Sequence, residues 1–298
     1  MFARYLALFS IPTLIGASWL LGGTLVRTID PLTLSFLRNL LSATALIPFV
    51  LTSTKKEDMR LASLSWFTGQ IFLTITGRVL YYYFATRSLL SIRPVESILI
   101  ATSLPLYLML FAFFIQRTII PLRTTLTGIL AVGCTVLAIL RTNAMAGFAW
   151  QPGHSDMIIA MLFFAIHLFY YSRLTGSASA SSTLFLQFGA GAVIMATIIN
   201  RATLQSIHWT PESIIQLLIF AIVCNLVPFI LVHRCLRFFP PLVVGNVSLL
   251  SPVLAYSIQC IMGKKTPDAI FLVLAFATAI FVFLSNYFWE LDRPDGAI

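Results

Sequence analysis

Apolar residues run through this chain in long blocks, and polar residues are largely confined to the short gaps between them. A helix rises 1.5 Å per residue, so about 20 apolar residues suffice to cross a hydrocarbon layer roughly 30 Å thick. Ten such spans are predicted, near 5–26, 32–52, 66–86, 94–116, 122–141, 157–172, 180–200, 213–233, 239–262 and 268–288. In hydrocarbon each backbone N–H and C=O must be satisfied within its own segment, which makes helices the expected element throughout. The gaps are too short to fold as separate domains. The sixth span is the shortest, because Asp156 and Arg173 bracket only a brief apolar stretch. Arg173 is expected to reach the interface along its own aliphatic stem.

Composition agrees with this pattern. Of 298 residues, 59% are hydrophobic and 10% charged, against about 25% charged in ordinary soluble domains. Nineteen Lys or Arg against ten Asp or Glu give a net charge of +9, but the cations stand singly or in pairs between apolar runs. A nucleic-acid binder gathers them on one face, so no nucleic-acid partner is expected, whereas contact with anionic membrane lipid is. Arg4, Lys55, Lys56, Arg60, Arg117, Arg123, Arg173, Arg234, Arg237 and Arg293 fall on one side of the alternating spans. Arg27, Arg87, Arg93, Arg141, Arg201, Lys264 and Lys265 fall on the other. The excess places both termini in the cytoplasm. The first span, with Arg4 as its only charged leader, is read as retained rather than as a cleaved signal. Cys134, Cys224, Cys235 and Cys260 show no C-x-x-C spacing, so neither a metal site nor a disulfide framework is expected. Trp66, Trp150, Trp209 and Trp289 sit at span ends, where headgroups favour an indole; Trp19 lies inside a span.

A shift of 147 residues superposes Arg87 on Arg234, Leu89 on Leu236, Pro94 on Pro241 and Pro105 on Pro252 without a gap. This suggests two five-span units, residues 1–146 and 147–298. Five is odd, so the second unit enters the membrane the opposite way, an arrangement that lets two halves expose a midplane site alternately to either side. The expected fold is an all-α polytopic membrane protein of ten transmembrane helices in two inverted five-helix repeats.

The segments IGASWLLGG, SFLRNLLSATALIPF, YYYFATRSLLS and SLPLYLMLFAFFIQR, followed by VPFILVHRCLRFFPPLVVGN and SLLSPVLAYSIQCIMGKKTP, occur in an informative order. With them the chain resembles the drug/metabolite transporter superfamily, specifically its ten-helix proteins with two EamA-type repeats. The sequence departs from that pattern after the fourth span, with Gln116 and Arg117, and after the ninth, with Gly263 and Lys264. The resemblance implies a small-molecule carrier of an inner membrane, without catalytic residues or cofactor. One chain of ten helices encloses its own route, so a monomer or weak homodimer is expected.

Polar residues inside spans are the substrate-binding candidates, because charge facing lipid is costly. Arg78, in the middle of the third span, is expected to face the bundle and meet an anionic group, with Gly77 permitting close packing. Arg38 is a second cation near the start of the second span. Glu96 is the carboxylate most clearly bounded by apolar sequence, a candidate to neutralise either arginine, to meet an ammonium group or to cap the fourth helix beside Pro94. Tyr81, Tyr82 and Tyr83 sample several faces of one helix, so not all of them enter one cavity. Trp19 and Tyr107 are further wall candidates, and Asn225, the 147-shift equivalent of Arg78, and Asn246 offer neutral hydrogen bonding. Gln187, Gln259 and His167 have the same capacity, while His233 and Arg234 are expected near a cytoplasmic helix end. Pro105 and Pro252 are predicted to kink the fourth and ninth helices and to serve gating.

These residues suggest alternating access for amino acids or related zwitterionic metabolites, Arg78 attracting a carboxylate. Alternatives are a drug or organic-cation exporter using Glu96 and aromatic walls, a carrier of S-adenosylmethionine or another nucleotide-derived metabolite, and a noncatalytic assembly factor. A lipid-headgroup enzyme would need a cluster of acids, bases or metal ligands at one depth, which the sequence does not offer.

Overall fold

Helix-breaking residues decide how the apolar blocks are divided. The computed structural model describes residues 2–51, 64–117, 120–143, 150–175, 180–261 and 268–292. The predicted cations Lys55, Lys56, Arg60, Lys264, Lys265 and Arg293, and Gly263, lie outside them. The helices are α1 (Phe2–Leu25), α2 (Pro31–Leu51), α3 (Leu64–Thr74), α4 (Tyr81–Ser88), α5 (Pro94–Ala101), α6 (Leu104–Gln116) and α7 (Leu122–Asn143). They continue with α8 (Pro152–Thr175), α9 (Ala180–Ala196), α10 (Arg201–Gln205), α11 (Pro211–Leu218), α12 (Val227–Cys235), α13 (Pro241–Ser248), α14 (Ser251–Ile261) and α15 (Ala269–Leu291). Two π-helical segments, Ile75–Leu80 and Ile219–Leu226, join α3 to α4 and α11 to α12 without interrupting the rod.

The expected kinks at Pro105 and Pro252 are full breaks. Proline cannot donate an N–H, and its ring collides with the carbonyl four residues earlier. Those residues are Ala101 and Ser248, which are the last of α5 and of α13. Each predicted span is thus two half-helices, with its proline at the head of the second half. The short sixth span is in fact 24 residues long. It extends past Asp156 because that carboxylate is 6% exposed and accepts Arg87 Nε at 2.8 Å, with Arg87 Nη2 on its other oxygen.

Six helical stretches are long and apolar enough to cross a membrane, and three shorter apolar helices accompany them. The surface shows what surrounds them: Val273, Phe276 and Phe283 of α15 and Phe113 and Phe114 of α6 are more than half exposed. Meanwhile Asn39, Gln70, Arg78, Gln187, Asn225 and Asn246 are wholly or almost wholly buried. A soluble protein does the reverse. An apolar exterior around a hydrogen-bonded polar interior is what a lipid solvent selects, and this is a polytopic helical membrane architecture.

Helix boundaries recur at the shift found in the sequence: α3 and α11 begin at 64 and 211, α4 and α12 end at 88 and 235, and α5 and α13 span 94–101 and 241–248. Their packing partners exchange in step. Helix α1 packs on α12 and α14 as α8 packs on α4 and α6, while the equivalent pairs α2 with α9 and α7 with α15 lie directly together. The Thr135 hydroxyl donates to Thr278 Oγ1 at 3.4 Å across the last pair.

Close approaches rely on missing side chains. A Cβ on Gly77 would stand 2.2 Å from Nδ1 of His167, whose imidazole occupies that space and bonds the Leu73 carbonyl at 3.1 Å. A Cβ on Gly23 would stand 2.4 Å from Pro94. A Cβ on Gly133, by contrast, would meet nothing within 4 Å beyond its own helix backbone among the described residues. Overpacking of a filled interior costs about 1–3 kcal/mol, so Gly77→Ala is expected to lower the detergent melting temperature by several degrees. Gly133→Ala should leave it nearly unchanged; equal melting of the two variants would contradict this packing.

Candidate functional site

Between α1, α2, α4, α8 and the second π-helical rod lies a cavity of about 40 Å³. At that size it holds a few waters at most. Its wall includes Ser18, Trp19 and Gly22 from α1, Arg38 from α2, and Tyr81, Ala85 and Thr86 from α4. Phe164 of α8, Phe220 and Cys224 of the π segment, and Phe229 of α12 line it too, with Ile15, Leu89, Pro228 and Val232. The wall is mostly apolar, with five aromatic rings and one charge.

That charge is Arg38. Its guanidinium carbon lies 4.1 Å from the Tyr82 ring centre and 4.5 Å from that of Phe220, and its Nη2 donates to Ser18 Oγ at 3.4 Å. Nε is buried and has no partner. Ring faces attract a cation through their quadrupole, by roughly 2 kcal/mol or more where water is excluded. The helical period explains the polar face: Ser35, Arg38, Asn39 and Ser42 stand three or four apart and all are buried.

Arg78 also approaches Tyr82 but does not line the cavity. It is 0% exposed, on the first π segment, with its guanidinium carbon 3.8 Å from the Phe229 ring and 4.3 Å from Phe188. It donates to the Tyr82 hydroxyl and to Gln187 Oε1, each at 3.3 Å. The Tyr82 hydroxyl donates to Asn225 Oδ1, whose amide donates to Ser42 Oγ at 2.9 Å, and Ser42 donates to the Ala221 carbonyl at 2.9 Å. Gln187 donates to Gln70, which donates to the Leu174 carbonyl. Neutral dipoles and rings thus surround this charge; no acidic side chain among the described residues pairs with it.

The tyrosine triple divides as the 100° step of a helix dictates. Tyr81 forms the cavity wall and stacks on Phe164, with centroids 4.6 Å apart. Tyr82 meets both arginines. Tyr83 turns to the helix end, where its hydroxyl accepts from Arg87 at 3.3 Å. Trp19 lines the cavity as expected.

Other expected contacts lie elsewhere. Glu96 is in the first turn of α5, 2.7 Å from Arg93 and 3.6 Å from His154 Nε2, and neutralises neither Arg38 nor Arg78. Asn246 donates to Ser285 and Asn286 of α15, tying α13 to that helix. Tyr107 packs half-buried against the main core, outside the cavity wall. Asp30 caps α2, accepting from the Leu32 and Thr33 amides at 3.1 Å. His233 is completely buried beside Tyr171 and His167 rather than set in a wet helix end. Phe220, Phe229 and Gln70 carry the site without having stood out in the sequence, since an aromatic residue in an apolar block has no local mark. Among the described residues no group of three or more His, Cys, Asp or Glu is placed to hold a metal ion.

With this geometry in view, comparison with known proteins is informative. Residues 3–140 match the EamA-like transporter family. The matched stretch is an EamA-like membrane domain and includes α1, α2 and α4, the helices that carry Trp19, Arg38 and Tyr81. No curated protein matches the chain significantly by sequence. A crystal structure of a protein shares the fold over 99% of both chains, with a TM-score of 0.75 and 15% identity. That likeness shows the fold over the whole length.

Tyr82 has the most to lose by substitution. Tyr82→Phe leaves the Asn225 oxygen and one Arg78 nitrogen without a partner, at about 1–3 kcal/mol for each buried group. Tyr83→Phe, at a partly exposed ion pair, should cost less than about 1 kcal/mol. Thermal unfolding in detergent measures both, and an equal or larger loss for Tyr83→Phe would reverse the assignment.

Proposed function

We propose that the protein is a drug/metabolite-type carrier of ten membrane helices, which passes small carboxylate-bearing metabolites, amino acids and related compounds included, by alternating access. The observation that carries this reading is an aromatic cavity with a single cation, Arg38, set between two sets of helices whose boundaries recur 147 residues apart. In this reading residues 1–146 and 147–298 are inverted repeats, the half-helices α5–α6 and α13–α14 each make one crossing, and both termini are cytoplasmic in a bacterial inner membrane. The breaks at Pro105 and Pro252 are its gating joints, since they separate short rods that pivot without stretching a hydrogen-bond ladder. Arg38 opposes an organic-cation cargo, and with Glu96 engaged by Arg93 the cavity wall offers no counter-charge to one.

Transport is tested with purified protein in liposomes and labelled amino acids and organic carboxylates, followed in both directions. Saturable, protein-dependent flux of at least one carboxylated compound is expected, and its absence across a broad panel would overturn the reading. Topology is tested separately. Leu90 and Phe238 are exposed residues at nearly equivalent positions of the two halves. Leu90→Cys and Phe238→Cys should react with a membrane-impermeant maleimide from opposite faces; reaction from the same face would exclude inversion.

A further inference from the structure

Two guanidinium groups lie against one ring in the interior. Arg38 is 8% exposed and Arg78 is 0% exposed, and their guanidinium carbons are 4.1 Å and 5.9 Å from the Tyr82 ring centre. On both, Nε is buried without a hydrogen-bond partner. The acidic side chains that the structure describes with partners are engaged elsewhere. Asp30 caps α2, Glu96 meets Arg93, Asp156 meets Arg87, Glu212 accepts from Gln216, and Asp268 meets Arg141. Arginine stays charged in a protein. The interior beside the cavity therefore holds positive charge that the described side chains do not compensate, and buried charge is costly without an ionic partner.

Resting on the carrier reading, we propose that Arg38 is the anion anchor of the cavity and that the cargo is a net-anionic organic carboxylate rather than a zwitterion. Arg38 lines the open space and has a free Nε donor in the planar fork that matches a carboxylate. Arg78, buried and outside the cavity wall, adds positive potential without touching the cargo. Trp19, Tyr81 and Phe164 receive an apolar or aromatic body. A zwitterion brings the same carboxylate but also an ammonium group. That group would enter a wall with hydroxyls at Ser18 and Thr86 and no acid, under repulsion from both arginines.

The test uses three compounds with one phenyl body at neutral pH: phenylpyruvate, phenylalanine and 2-phenylethylamine, of net charge −1, 0 and +1. Binding to the full chain in detergent is measured by calorimetry. Phenylpyruvate is expected to bind at least tenfold tighter than phenylalanine, with 2-phenylethylamine weakest. Arg38→Gln should weaken phenylpyruvate binding at least tenfold and abolish the charge preference, and Arg38→Lys should restore part of it. Where Arg38→Gln does not fold, the charge series on the unaltered protein decides. Phenylalanine binding as tightly as phenylpyruvate, or no binding of phenylpyruvate, overturns the inference. The carrier reading stands or falls on the flux panel alone, so an amino-acid flux with no anion preference would sink the anchor and leave the carrier.

Discussion

An arginine that cannot lose its charge, buried among helices that face lipid, is the constraint around which the rest of this interior is arranged. Arg78 has no acid among its described neighbours, so its charge is dispersed over the faces of Phe188 and Phe229 and into the dipoles of Tyr82 and Gln187. Each of those groups then needs its own partner, because a polar atom left unpaired at this depth costs as much as the bond it lacks. Asn225, Ser42 and Gln70 supply them, and the sequence of bonds ends on the backbone carbonyls of Ala221 and Leu174. Five membrane rods are joined in this way.

The backbone distortions belong to the same arrangement. A π segment carries one residue more per turn than the regular ladder accommodates and redirects a side chain, and such segments are common at functional positions. Here one of them carries Arg78 and the other carries Asn225, at equivalent positions of the two halves. Their surroundings differ. In the second half Pro228 withholds an N–H just after the segment, whereas in the first Gly77 leaves room for the His167 ring. The same backbone shape thus stands beside a missing donor in one place and a missing side chain in the other.

Much of the fold was legible in the sequence, since span length is set by bilayer thickness and proline acts on a fixed neighbour. Pro105 and Pro252 announced their positions, though only the structure shows breaks in place of bends. Arg38 and Arg78 were visible as charges in apolar blocks. Which of them meets the cavity was not, because this depends on how α2 and the first π segment are rotated against their neighbours, which one sequence does not encode locally. Of the roles open to Glu96, its position fits the one at the start of the fourth span, where it accepts from the Arg93 amide, while its apolar neighbours concealed the ion pair with the Arg93 side chain and the approach of His154 from another helix. The extension of α8 past Asp156 likewise required Arg87, sixty-nine positions away.

The polar asymmetry of the halves has an energetic consequence. Arg38 corresponds to Phe185 and Arg78 to Asn225 under the 147-residue shift, so one half bears the cations and the other bears rings and amides. Under the alternating access proposed above, an opening that wets Arg38 hydrates a charge, while the equivalent position of the other half, Phe185, has none to hydrate. The two conformers of such a carrier would then be unequal in free energy before any cargo arrives. Unloaded, it would rest facing one compartment.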